Sequence, residues 1–337
     1  MANIKDVARL AGVSVTTVSH ALNGTRFVSE EARARIDAAI RELGYVPSAV
    51  ARSLKHNETR TVGMMIPNNS NPYFAEIIRG VENHCFAAGY NLVLCNSDDD
   101  PVKQAAHLRV LAEKRIDGLV LVASGAEASL GSLLSNSQVP LVLVDREVEG
   151  MDCDLVEVDH AAGGEMATRH LLELGHAGVA CISGPPGLSP SSQRRAGWKR
   201  ALVAAGIPRR EGDLLRGDFG SRSGYLAMQT LLARKPRPTA VFICNDVMAI
   251  GALCAAHEAG VRVPEDLSIV GFDDIELAAY TIPPLTTIAQ PKQAIGTGTA
   301  SLLLEQIAGR SAPRHLILQP ELRLRKSTAP APATRAN

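Results

Sequence analysis

Between Ser14 and Gly24 the run VTTVSHALN turns Thr16, Thr17, Ser19 and His20 away from an apolar face made by Val15, Val18 and Leu22. Hydroxyls and an imidazole on an exposed helix face can hydrogen-bond to base edges and phosphates of DNA. A second group of polar residues follows short apolar runs: Asn68 to Asn71 after TVGMMIP, Asp145 and Arg146 after PLVLV, Asn245 and Asp246 after VFIC, Asp273 and Asp274 after IVGF, and Gln290 after TTIA. Tyr73, Phe74, Phe219 and Phe272 stand close to these in sequence. Carboxylates and amides accept from vicinal hydroxyls, a guanidinium donates in a fork, and aromatic faces cover the C–H side of a sugar ring. Singly, Asp and Asn after a strand serve equally as turn formers or helix caps. As a set they point to a polyhydroxylated ligand.

No pattern points to catalysis. The chain lacks G-x-x-x-x-G-K-[ST] and G-x-S-x-G, and His257-Glu258 is followed by Val261 where a zincin places its second His. Gly296-Thr297-Gly298 lies inside a helical pattern and reads as packing, and Asp98 to Asp100 reads as a solvated helix start. Cys85, Cys95, Cys153, Cys181, Cys244 and Cys254 show no ligand spacing and read as buried thiols. The expectation is a non-enzyme with no catalytic residues, no cofactor and no metal.

These residues need elements to position them. Asn3, Ser14 and Ser29 are N-cap residues, and Gly12, Gly24 and Gly44 are stops, so the first 46 residues read as three short helices with a helix-turn-helix at Gly12–Ser14. Pro47 then forces a break, Ser48 can cap, and AVARSLKH forms a short amphipathic helix. In it Leu54 can wedge between base pairs while Arg52 and Lys55 neutralise phosphates. From Thr61 onward, strands too apolar for one-sided exposure alternate with helices, which predicts parallel sheets covered on both faces, in two similar lobes. Ligands of such sheets sit at the carboxyl ends of the strands, where the polar set collects.

The 337 residues carry 35 Lys and Arg against 35 Asp and Glu, but the first sixty hold nine against six. The head is basic and the body faintly acidic. No apolar run reaches membrane-spanning length; Ala240 to Ala256 is broken by Asn245 and Asp246. With no leader pattern at MANIKDVARLAGVS, a cytoplasmic location away from any membrane is expected.

The string IKDVARLAGVSVTTVSHALNGTRFVSEEARARIDAAIRELGYVPSAVARSLK resembles the DNA-binding head and hinge of the LacI/GalR family of bacterial repressors along its whole length. The resemblance implies that Val15, Thr16 and His20 face the major groove. It also implies that Ser48 to Lys55 is a hinge helix whose Leu54 intercalates in a palindromic operator. The body, about Thr61 to Lys326, resembles the family's effector domain and the periplasmic ribose-binding proteins. That implies ligand contacts from Asn71, Phe74, Asp145, Arg146, Arg194, Phe219, Asn245, Phe272, Asp273 and Gln290, with Tyr73 where the periplasmic proteins have a second Phe. RGVENHCFAAGYNLVLCNSDDD and GFDDIELAAYTIPPLTTIAQPK look most like the ribose operon repressor branch. The purine branch carries a Trp after the Asp at position 145, where this chain has Arg146. The expected organisation is an α/β chain: a helix-turn-helix head at 1–46, a hinge at 47–60, a two-lobed periplasmic-binding-protein-like body at 61–326 and a disordered tail at 327–337. The expected assembly is a homodimer on palindromic operator DNA, released or recruited by a small sugar effector such as ribose. The alternatives are a purine-dependent repressor and a sugar-binding protein or enzyme without a DNA role.

Overall fold

Helix α1 (Ile4–Ala11) starts at a reciprocal cap, in which the Asn3 side chain accepts from the Lys5 and Asp6 amides while Asp6 accepts from the Asn3 amide. Helix α2 (Val15–Asn23) is capped by Ser14 and α3 (Glu30–Leu43) by Ser29. Gly12, Gly24 and Gly44 end the three helices in the left-handed region. Val7, Ala8, Ala11, Val18, Ile36 and Ala39 form their core. Val15, which spacing assigns to an apolar face, is exposed, as is Leu10, because a three-helix unit this small buries only a narrow stripe of each helix.

This computed structural model describes residues 2–46, 58–122, 139–146, 148 and 151–332, and the chain divides into two units, Met1–Thr59 and Arg60–Asn337. Ser48, Arg52, Leu54 and Lys55, and with them the expected hinge helix, lie outside the described residues.

The second unit is built on two six-stranded sheets. Lobe 1 has strands β1 (Thr61–Ile66), β2 (Asn91–Asn96), β3 (Gly118–Leu121), β4 (Leu141–Val144), β5 (Asp154–Val158) and β11 (His315–Leu318), in the order β11-β5-β4-β3-β1-β2. Lobe 2 has β6 (Ala180–Ser183), β7 (Leu214–Arg216), β8 (Ala240–Ile243), β9 (Ser268–Asp273), β10 (Thr286–Ala289) and β12 (Glu321–Arg323), in the order β12-β10-β9-β8-β6-β7. Every pair is parallel except β10 with β12. The central strands are buried on both faces, as their unbroken apolar runs require.

Helices α4 (Pro72–Ala87), α5 (Pro101–Glu113) and α10 (Lys292–Ile307) belong to lobe 1. Helices α6 (His160–Glu173), α7 (Ser189–Ala204), α8 (Ser221–Leu232) and α9 (Asp246–Glu258) belong to lobe 2. The chain therefore changes lobe three times: after β5, after β10 and between β11 and β12. Three adjacent crossings make a hinge.

Helices meet at facing glycines. A Cβ on Gly296 of α10 would come within 2.6 Å of the Ile77 carbonyl of α4, beside Gly80. Gly296 is thus a close helix contact, while a Cβ on Gly298 would meet the Leu316 side chain of β11 at 3.0 Å. Of the expected disordered tail at 327–337, residues 327–332 are instead ordered, and 333–337 lie outside the described residues. Ser327 is fully buried and donates to the Ile269 carbonyl, the Ala329 amide donates to Ser268 Oγ, and the Ala331 amide donates to the Leu174 carbonyl. Low apolar content hid this order, because backbone and hydroxyl bonds supply it.

Candidate functional site

The cleft between the lobes has a volume of about 520 Å³ including its mouth, and its walls are strand ends. From lobe 1 come Pro67 and Asn68 after β1, Asp99 after β2, Asp145 and Arg146 after β4, and Asn71, Tyr73 and Phe74 at the start of α4. Lobe 2 supplies Asp218 and Phe219 after β7, Asn245 after β8, Asp273 at the end of β9, and Pro190 and Arg194 from α7. Asp145, Phe219 and Asp273 hold positive φ angles of 64°, 68° and 115°. Non-glycine residues take such angles where the surroundings impose them, which here aims side chains into the cleft. Gly184 makes the room for Phe219, since a Cβ there would lie 2.2 Å from its ring.

A closed circuit of polar contacts links both walls. His160 Nε2 lies 2.6 Å from Asp145 Oδ1, and Arg194 Nε donates to His160 Nδ1 at 3.2 Å. Arg194 Nη1 donates to the Cys244 carbonyl at 2.6 Å and lies 3.4 Å from Asp273 Oδ1. Gln290 Nε2 donates to Asp273 Oδ1 at 2.7 Å, while the Tyr73 hydroxyl stands 3.1 Å from Gln290 Oε1 and 3.4 Å from Asp145 Oδ2. Because Arg194 donates to Nδ1, this geometry requires the proton of His160 on Nε2, where it is donated to Asp145. Arg194 is further fixed by the Phe272 ring, with its guanidinium carbon 3.8 Å from the ring centroid.

The two central carboxyls are driven apart. At Asp145, burial pushes the carboxyl up, but His160, Arg194 and Arg146 outweigh it and hold the group below its usual range. At Asp273, burial prevails over Arg194, Gln290 and Lys292 and raises the carboxyl to about 6. Beneath it Asp246, buried and close to the Asp273 charge, is pushed well above the ordinary range. Burial and the same two cleft carboxylates raise the Tyr73 hydroxyl. One ionised acceptor, one acceptor that titrates near pH 6, a fixed guanidinium and two aromatic rings, Phe74 and Phe219, can orient a small ligand by its polar edge and cover its faces.

Of the eleven residues expected here, nine line the cleft. Phe272 does not: it is fully buried and backs Arg194, so its part is to position the guanidinium. Gln290 is also off the lining, at the second lobe crossing, where it joins Asp273 to Tyr73. Asn71 and Asn245 both line the cleft and cap helices, accepting from the amides of Tyr73 and Met248. Asp98 to Asp100 has three fates: Asp100 caps α5, Asp98 pairs with Lys103, and Asp99 reaches Arg146 at 2.5 Å in the cleft wall. His160, Pro190, Asp218 and Pro67 went unseen in the sequence. In the head, Thr16 is exposed, the Thr17 hydroxyl lies 2.8 Å from Ser14 Oγ, and His20 Nδ1 lies 2.8 Å from Thr25 Oγ1.

Comparison with known proteins bears on both units. The family described as bacterial regulatory proteins, lacI family, matches residues 3–48, and a periplasmic binding protein-like domain matches residues 168–328. The HTH-type transcriptional repressor PurR of Photobacterium profundum is 45% identical over 97% of this chain and 98% of its own length. A lac repressor dimer bound to operator and the anti-inducer ONPF superposes with a TM-score of 0.87 at 28% identity, over 97% of this chain and 99% of that one. A LacI family transcriptional regulator of Enterococcus faecium with bound ribose gives 0.72 at 30% identity, over 80% and 99%.

Proposed function

The chain belongs to the LacI family of bacterial regulatory proteins, and from that premise we propose that it is an operator-binding transcriptional repressor whose hold on DNA is set by a small molecule in the cleft. The relatives that support this are repressors, not enzymes. Val15 and Thr16 read base edges in the major groove, and His20 offers Nε2 while Thr25 steadies Nδ1. Thr17 contributes less to reading than to the cap, since its hydroxyl is engaged by Ser14. In the hinge segment that follows Ser48, Leu54 wedges into the minor groove of a palindrome while Arg52 and Lys55 neutralise phosphates.

The ligand we assign first is a purine base acting as corepressor, and the observation that carries it is the full-length likeness to a repressor named PurR. This displaces ribose as the leading reading. A planar base fits between Phe74 and Phe219, with Asp273 accepting a ring N–H and Arg194 donating to an exocyclic oxygen. A pentose is the second reading. Arg146 beside Asp145 favours it, as does the ribose held by the Enterococcus faecium regulator. Calorimetric titration with hypoxanthine, guanine and D-ribose separates the two: purine heat without ribose heat supports the first, the reverse supports the second, and heat from none removes both.

A further inference from the structure

Outside the cleft, among the described residues, one cation is buried where the two lobes meet. Lys292, the first residue of α10, is 6% exposed, and its ammonium reaches the Asp273 carbonyl at 3.0 Å, the Asp274 carbonyl at 2.5 Å and Glu76 Oε1 at 3.3 Å. The two carbonyls accept hydrogen bonds from the ammonium, and the Glu76 carboxylate pairs with its charge. The acceptors divide between the lobes: the carbonyls lie at and just past the end of β9 in lobe 2, whereas Glu76 stands on α4 of lobe 1, the helix that α10 packs against. Both aspartates hold positive φ, 115° and 55°. Arg325 fixes the Asp274 carboxylate at 2.6 Å, and Lys292 fixes the two carbonyls. That backbone turn delivers the Asp273 side chain to Arg194 and Gln290.

We propose that Lys292 is the strap that carries the ligand signal across the hinge, aiming Asp273 into the cleft and tying the end of β9 to Glu76 of lobe 1. It is a positioning residue that meets no ligand. A ligand that pulls on Asp273 through this strap moves lobe 1, and a chain without it lets the end of β9 shift while lobe 1 stays. The inference rests on the ligand-controlled repressor reading above.

The test uses the full chain and the variants Lys292→Met, Lys292→Arg and Glu76→Gln, each checked for folding by circular dichroism. Operator affinity is measured with and without hypoxanthine, and with and without D-ribose. A coupled repressor shows a ratio of about 5- to 150-fold, and in Lys292→Met that ratio falls to about one, with Lys292→Arg restoring part of it. A strap with a merely structural role lowers the melting temperature and leaves the ratio unchanged. A folded Lys292→Met with the wild-type ratio therefore overturns the proposal. Hydrogen exchange of residues 273–279 in the free chain gives a readout that needs no ligand: it speeds in both Lys292→Met and Glu76→Gln, and unchanged exchange in both overturns the strap. If the wild type answers to neither compound, the ligand assignment fails, and the exchange result alone decides the strap.

Discussion

Arg194 and Asp273 carry the cleft, and their chemistry differs in what can replace it. Arg194 makes its contacts as a plane: it stacks on Phe272 and spreads Nε and Nη1 to His160, the Cys244 carbonyl and Asp273. A lysine offers a point charge and no stacking face, so Arg194→Lys weakens ligand binding by about tenfold or more in calorimetry. Asp273 titrates. Its carboxyl is raised to about 6 in the fold, so the native chain keeps a proton that the unfolded chain releases near pH 4. The native state then binds more protons in that window, and stability falls as pH rises from about 4 through about 6. Asp273→Asn removes this component, so its unfolding free energy gains on that of the wild type by roughly 1–3 kcal/mol between about pH 4 and about pH 7 in denaturant titrations. For a ligand that needs the ionised acceptor, wild-type affinity moves oppositely, rising as pH climbs through about 6.

At the scale of elements, the sequence disclosed what is local. Caps such as Asn3 and Ser29, glycine stops, and apolar strands followed by Asp or Asn all act within a few positions, and the structure bears them out. His160 was not legible because its partners Asp145 and Arg194 lie 15 and 34 positions away, and nothing near it marks it. Strands β11 and β12, short and half-exposed, lack the apolar run that betrays a central strand. Helix contacts are equally long-range. A Cβ on Gly164 of α6 would sit 2.1 Å from the Arg194 carbonyl of α7, so Gly164→Ala forces the two helices apart. We expect it to lower stability by about 2–3 kcal/mol in thermal melts and to weaken ligand binding as well, because Arg194 moves with α7. In the head, Ser14→Ala removes the cap of α2 and the partner of Thr17. Loss of about 1 kcal/mol follows, read as a lower melting point and weaker operator binding.

At the scale of the molecule, a chain with no net charge carries a basic excess in its first sixty residues, nine Lys and Arg against six Asp and Glu, while its second unit brings opposed walls of polar side chains around a hinge. Phosphate contacts release counterions, so log affinity for operator falls linearly with log salt, with a slope of about −0.9 for each phosphate neutralised. On the proposed function, occupancy of the cleft changes the grip on DNA. Fluorescence anisotropy of a labelled palindromic operator, titrated with the full chain in the presence and absence of hypoxanthine or D-ribose, tests it most directly. One of these compounds shifts the apparent affinity by about fivefold or more, and Asp273→Ala abolishes that shift while binding DNA as the free wild type does. A chain that binds either compound in calorimetry yet holds the palindrome with the same affinity throughout rules that coupling out.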